Sequence, residues 1–423
     1  MRILLVPDPV EPGRTVRALA LARELRRQLP QCALTVVLDR ARAAFGPLFG
    51  AAGVAVTGTE EPSAGQAPPA GARGEPGRPV HPGAPAAPGF MDGERVLGRL
   101  AHCQDLRPGL VVCVDDVPAA LAAAIGGFPY ALVTDRPDIP PSRLDGRAPA
   151  AGGILFDEGS RRRDSLRALF DWVARRAEVT VTDRPCEPAS PTALARPVSW
   201  PGTEESKEGT GTRTPAGIRL VRTGPIVQEP AGAGVAAALR ARLGLGQGPL
   251  MAGATDGAAV SGGSGQRLAE RCVLAHRRLR RHHPGLRLVL LTTEAVEVPQ
   301  DVVVHGFPPD RAALLGEADF LVAAPGWATA TEAAVARVPM VLVHGGPGEH
   351  PQADEFDRLV RLGFPGLTAP TVDGITDAAR PFVGGRTHTR LRGRPAAAAG
   401  TAEAAAHLAR AARSAPAARR RPA

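Results

Sequence analysis

The stretch from Asp301 to Gly363 constrains this chain more than any other, because its pattern admits few folds. It reads as a short strand, a loop, a helix from Pro309 to Glu317, and a buried apolar strand from Asp319 to Ala324. A glycine-containing turn, a helix from Thr329 to Arg337 and a strand from Pro339 to His344 follow. A Gly/Pro loop then feeds a third helix. That is a βαβαβα unit, which requires a parallel sheet with helical crossovers.

Its chemical interest lies in Pro325-Gly326-Trp327-Ala328-Thr329-Ala330-Thr331-Glu332, where a strand's carboxyl end turns into a helix whose first amides lack intrahelical partners. Such a junction suits an anion. Gly326 permits close backbone approach, Thr329 or Thr331 can cap the helix, and Glu332 is expected in its first turn. There Glu332 either accepts hydrogen bonds from sugar hydroxyls at the mouth of the sheet or complements the helix dipole.

The rest of the chain repeats the α/β theme. RILLV at Arg2–Val6, the amphipathic TVRALALARELRRQL and ALTVVLD open a βαβ unit, which puts the loop Asp8–Arg14 at the sheet's carboxyl edge. LVVCVDD, PYALVTD and VTVTD are further buried strands. Asp115, Asp116 and Asp135 therefore stand at strand ends, where an aspartate caps the next helix or orients a reacting hydroxyl. GPLMAGA begins a second series, followed by a Gly/Ser loop that is either merely flexible or offers the backbone amides of Gly262, Gly263, Ser264 and Gly265 to a diphosphate.

At 423 residues two domains are expected. The expected boundaries are an N-terminal acceptor domain at 1–228, a linker and helix at 229–248, a C-terminal nucleotide-sugar domain at 249–413 and a disordered tail at 414–423. Pro/Gly/Ala-rich insertions near 59–88 and 185–217 carry too few large apolar residues to order themselves.

The charge of +9 admits a polyanionic partner, but Lys207 is the only lysine and aromatics are 4% of the chain, which weighs against nucleic acid. Five scattered cysteines without a CxxC pair argue against a disulfide framework and a zinc site. No apolar run reaches membrane-spanning length, and a cytoplasmic protein with at most peripheral membrane contact is expected.

Several of these segments together resemble the sugar-nucleotide-dependent glycosyltransferases of GT-B fold. The likeness is closest to the group containing the lipid II-forming N-acetylglucosaminyltransferase and the transferases that glycosylate natural products. GRTVRALALARELR resembles that group's N-terminal Gly-His loop and helix, RTGPIV the strand before its linker, and SGGSGQR its diphosphate loop. DVVVHGFPPDRAALLGEADFLVAAPGWATATEAAVARVPMVLV resembles its nucleotide-binding core, and the region of Gln352 its Asp/Glu-Gln-x-x-Asn-Ala element.

The resemblance implies two Rossmann-like domains facing across a cleft, and a sugar transferred from a nucleoside diphosphate, uridine being the commonest base. It implies no metal and no cofactor beyond that co-substrate. Gly263 and Ser264 would hold the diphosphate, the backbone near Phe307 would read the base and Glu332 would bind the ribose. Gly326, Trp327 and Thr329 would line the phosphate side, and Gln352 would touch the sugar.

The departures matter as much. Arg14 stands where the group has histidine, and a guanidinium keeps its proton at any relevant pH, so a base must come from Asp8, Glu11 or a strand-end aspartate. Arg14 would instead stabilise the leaving diphosphate. Pro351 and Glu355 replace the acid and the asparagine flanking Gln352. The alternatives to an inverting transferase are a non-catalytic nucleotide-sugar-binding homologue and a hydrolysing epimerase on the same fold.

Overall fold

The computed structural model describes residues 1–9, 12–58, 93–135, 168–184, 218–228, 233–255, 264–292, 296–305, 311–343, 350–361, 366–367, 371–383 and 399–415. The expected insertions near 59–88 and 185–217 and the last residues of the tail lie outside these.

The chain first forms β1 (Arg2–Pro7), α1 (Pro12–Gln28), β2 (Ala33–Leu38), α2 (Gly46–Ala51), β3 (Ala55–Gly58), α3 (Gly93–Leu106) and β4 (Leu110–Val114). Then come α4 (Val117–Gly126), β5 (Tyr130–Val133), α5 (168–176), β6 (Val179–Thr182) and β7 (Leu220–Arg222). These seven strands make one parallel sheet in the order β3-β2-β1-β4-β5-β6-β7.

The second series is α6 (Ala233–Arg242), β8 (Leu250–Ala254), α7 (Ser264–Arg280), β9 (Arg287–Leu291), β10 (Val303–His305), α8 (Arg311–Glu317) and β11 (Phe320–Ala323). It continues with α9 (Trp327–Ala336), β12 (Met340–Val343), α10 (His350–Arg361), β13 (Gly366–Leu367), α11 (Val372–Ala379) and α12 (Ala399–Ser414). Its parallel sheet runs β10-β9-β8-β11-β12-β13. Both sheets therefore reverse direction beside their first strand, at β1/β4 and at β8/β11. In open α/β sheets the crevice outside such a switch point is where ligands bind.

Continuous apolar runs form these strands because both faces are covered. Ile3, Leu5, Val112 and Val114 pack with α1, while Leu4, Val6, Val111 and Cys113 pack with α4 and α5. In the second sheet Ala252, Leu321 and Ala323 face α8 and α9, and Leu288, Leu290 and Val322 face α7. The expected architecture, two parallel-sheet α/β domains, is the one observed. Among the described residues no helix is long and apolar enough to cross a membrane. Cys32, Cys103, Cys113 and Cys272 are buried free thiols.

Three local expectations are corrected. The last helix, placed with the second domain by its sequence position, packs on the first: Ala404, Ala405, Leu408 and Ala409 share a core with Ile3, Leu19 and Leu25. An alanine-rich repeat marks a buried face without marking its partner. Thr401 Oγ1 ties α12 there, accepting from Val227 N at 3.0 Å, and Gln28 Nε2 donates to Ala402 O at 2.9 Å. Helix α9 begins at Trp327 rather than Thr329, which puts Glu332 beyond the first turn. Neither threonine caps it: Gly326 is the N-cap, and Thr331 Oγ1 donates back to Trp327 O at 2.9 Å.

At the start of α12 the chain passes so close to the segment after β7 that a Cβ on Gly400 would lie 2.1 Å from the carbonyl carbon of Gly224. Backbone atoms cannot yield as a side chain can. Gly400→Ala should therefore destabilise the protein by about 1–3 kcal/mol, read as a lower urea midpoint. An unchanged midpoint would show that α12 does not depend on this contact.

Candidate functional site

In a parallel sheet neighbouring strands all end at the same edge, and here five strands of the first sheet run into aspartates. Asp8 follows β1, Asp39 follows β2, Asp115 and Asp116 follow β4, Asp135 follows β5 and Asp183 follows β6. Carboxylates crowded this way repel one another unless cations are interleaved. Arginines from α1, α3 and the end of β6 supply them.

Arg14 Nη1 donates to Asp8 Oδ2, and Arg95 Nη2 donates to Asp8 Oδ1 at 3.1 Å. Asp8 and Arg14, the two residues expected in the chemistry, are thus brought together as an ion pair. Asp116 takes the capping role, its Oδ1 accepting from Ala119 N at 2.9 Å, while Oδ2 receives Arg95 and Arg99, each at 3.2 Å. Arg99 also pairs with Asp39 at 3.1 Å. His102, by contrast, is held away from this chemistry by the carbonyls of Gly98 and Gly58, at 2.8 and 3.1 Å.

Asp115 is the strained member, with φ at 54°, in the left-handed region that non-glycine residues seldom occupy. Its Oδ2 receives Arg17 Nη1 at 3.0 Å and lies 3.8 Å from Arg14 Nε, and its Oδ1 accepts from Asp135 N at 3.3 Å. Burial, and then the neighbouring Asp135 carboxylate, push the Asp115 carboxyl above its ordinary value. Arg14, Arg17 and a hydrogen bond from Thr134 pull it part of the way back. A carboxylate so raised is a better proton acceptor near neutral pH than an exposed one.

The second sheet meets this edge at α9. Trp327, on the first turn, donates from Nε1 to Asp183 Oδ1 at 2.9 Å; the same oxygen receives Arg17 Nη2 at 2.8 Å, and Oδ2 receives Ile226 N at 3.0 Å. Arg184 lies with its guanidinium carbon 4.6 Å from the centre of the Trp327 ring. Its Nη2 reaches both Glu355 oxygens on α10 at 2.9 Å, and its Nε donates to Asp135 O. Gly13 completes the approach, since a Cβ there would come within 2.7 Å of the Ala328 methyl. Trp327 and Ala328 thus face the first sheet's ligand edge.

Glu332 and Thr329 form a separate unit on α9. Arg311 Nε donates to Glu332 Oε2 at 2.8 Å and Arg311 Nη2 donates to Thr329 Oγ1 at 3.3 Å. Ser264 opens α7, and Gln352 lies on α10 after β12. Gly263, Phe307 and Glu11 lie outside the described residues. Among the described residues no cluster of histidine, cysteine and acidic side chains is arranged to hold a metal ion. Sequence reasoning missed Arg17, Asp183, Arg184 and Arg311. A signal for Asp183 existed, since VTVTD ends in the same way as the other strands.

No protein-family model and no curated protein sequence matches the chain. Solved structures do. The glycotransferase of kitacinnamycin matches at 19% identity, covering 97% of this chain and 98% of that one, with a TM-score of 0.51. CalG4, the calicheamicin glycosyltransferase, matches at 17% identity over 98% and 99% of the two chains, TM-score 0.50. A protein from Listeria monocytogenes assigned as a UDP-N-acetylglucosamine 2-epimerase matches at 12% identity over 95% and 94%, TM-score 0.54. These likenesses show the fold, which is GT-B.

The raised Asp115 carboxyl has a consequence for stability. The folded chain holds that proton more tightly than the unfolded chain, so the favourable contribution is present below the ordinary aspartate range and is lost as pH rises through the raised value. Asp115→Asn removes this dependence. The difference in Tm between variant and wild type should shift in favour of the variant as pH is raised from about 4 toward neutrality. A parallel pair of Tm–pH curves would contradict the assignment.

Proposed function

We propose that this chain transfers a sugar from a nucleoside diphosphate donor, a UDP-sugar first among them, to a hydroxyl of a small-molecule or lipid-linked acceptor. One observation carries the reading: the ligand-binding edges of the two sheets face each other. Asp8 and Asp115 flank the switch point of one sheet, and Trp327, beside the switch point of the other, contacts Asp183 on the first sheet's edge. Two partners of a group transfer need such opposed sites. The names of the kitacinnamycin and calicheamicin transferases support sugar transfer as the reaction.

In this reading the donor lies on the second sheet. Glu332, oriented by Arg311 and flanked by Thr329, takes the ribose hydroxyls. Amides at Gly263 and Ser264 take the diphosphate, the chain near Phe307 reads the base, and Gln352 touches the sugar. The acceptor lies on the first sheet. Its hydroxyl attacks the anomeric carbon directly, with inversion, while a carboxylate takes the proton and the nucleoside diphosphate departs toward helix amides and arginine.

The proton acceptor is a carboxylate because Arg14 has no lone pair to offer. Asp8 and Asp115 both pair with Arg14, and the raised carboxyl of Asp115 suits the task better than Asp8, whose two oxygens already receive guanidinium groups. That same occupancy of Asp8 favours a second reading, a nucleotide-sugar-binding homologue without turnover. Buried free thiols suit a reducing compartment, and the reading places the protein in the cytoplasm.

Titration with UDP and dTDP, followed by transfer assays with a panel of labelled nucleotide sugars, tests these assignments. Glu332→Ala should weaken nucleotide binding about tenfold or more, the loss of charge-assisted hydrogen bonds to a sugar hydroxyl. Asp115→Asn should lower turnover about a hundredfold while leaving donor affinity near the wild-type value. Binding without turnover, indifferent to both Asp8→Asn and Asp115→Asn, would select the non-catalytic reading. A chain that binds no nucleotide would remove both.

A further inference from the structure

We propose that Arg184 is a ligand for the donor's diphosphate and that Glu355 occupies it when no donor is bound, so that donor binding and release of the Arg184–Glu355 pair are one exchange. The proposal rests on the donor reading above and adds a residue from the opposite sheet.

The position of Arg184 carries the argument. It directly follows β6, on the first sheet's ligand edge, yet its partner Glu355 belongs to α10, which follows β12 of the second sheet. The guanidinium lies over the ring of Trp327, in the first turn of α9, so it stands beside the helix start that the donor's phosphate side is assigned to. Arg184 is buried, its Nε is spent on the carbonyl of Asp135, and its Nη2 is shared between the two Glu355 oxygens. Its Nη1 is buried without a hydrogen-bond partner among the described residues.

A buried guanidinium with one edge unused is costly, and it is poorly explained as a purely structural tie. A phosphate oxygen offers what the present arrangement lacks. Arginine binds carboxylate and phosphate through the same fork of parallel N–H groups, so a diphosphate can replace Glu355 without moving the guanidinium from the Trp327 face. The incoming group carries more negative charge than the carboxylate it displaces. Nucleotide binding therefore pulls α10 free of the first sheet's edge, and Glu355 acts as an internal competitor.

The experiment compares UDP and uridine binding by titration calorimetry to wild type, Glu355→Gln, Glu355→Asp and Arg184→Lys, each first shown by circular dichroism to be folded. Removing the competing charge should tighten UDP binding about tenfold in Glu355→Gln, equivalent to ~1.4 kcal/mol. Glu355→Asp, whose carboxylate is drawn back from the guanidinium, should shift affinity in the same direction by less. Arg184→Lys, which keeps charge but loses the fork, should weaken UDP binding. Uridine, which has no phosphate, should bind all four alike.

UDP affinity equal in wild type and the Glu355 variants would overturn the exchange while leaving the donor reading intact. Uridine tightening in step with UDP would also overturn it, because the variants would then act by loosening the domains rather than by freeing a phosphate ligand. Absence of UDP binding in every variant would overturn the exchange and the donor reading together.

Discussion

The two halves of this protein depend on one carboxylate that water does not reach. Asp183 is fully buried, and a buried charge persists only when its lone pairs are filled. Three segments fill those of Asp183, which directly follows β6: Arg17 comes from α1, the amide of Ile226 from the segment after β7, and the indole of Trp327 from α9 of the other sheet. Removing one partner from such a group costs about 3–5 kcal/mol in other proteins. The relation between the sheets is thus written into buried electrostatics, at Asp183 and at the Arg184–Glu355 pair, as well as into apolar contact.

That arrangement accounts for a density of charge that would otherwise be unfavourable. Parallel strands deliver their carboxyl ends to one edge, and here the residues delivered are aspartates. Arg17 neutralises two at once, bridging Asp115 and Asp183, while Arg95 bridges Asp8 and Asp116. Arg95 thereby ties the ends of the neighbouring strands β1 and β4, and Arg17 ties those of β4 and β6 across the end of β5. Asp115, with its left-handed backbone and its Asp135 neighbour, is the place where this balance is least complete, and incomplete balance is what the role proposed for it, taking up a proton, requires.

What the sequence made legible follows from how local each constraint is. Buried parallel strands announce themselves as unbroken apolar runs, so LVVCV and FLVA could be placed without coordinates. Capping was one of the two roles that the strand-end position of Asp116 left open, and the fold selects it, with Pro118 tolerated in the helix's first turn. The Trp327–Asp183 bond joins residues 144 positions apart, and nothing near either residue specifies the other. The placement of α12 was hidden for the same reason, because its apolar face is a list of alanines that would fit either sheet.

Glu332 shows how a correct element can carry an incomplete reading of its side chain. From the sequence it stood between a sugar ligand and a counter-charge for the helix dipole. In the fold it lies past the first turn of α9, where the dipole's influence has faded, and its partner is Arg311 from the start of α8. An arginine that also reaches Thr329 fixes the carboxylate's orientation. Orientation of this kind does nothing for a helix, and it is what the proposed ribose ligand requires, a carboxylate held to meet two hydroxyls of one ring.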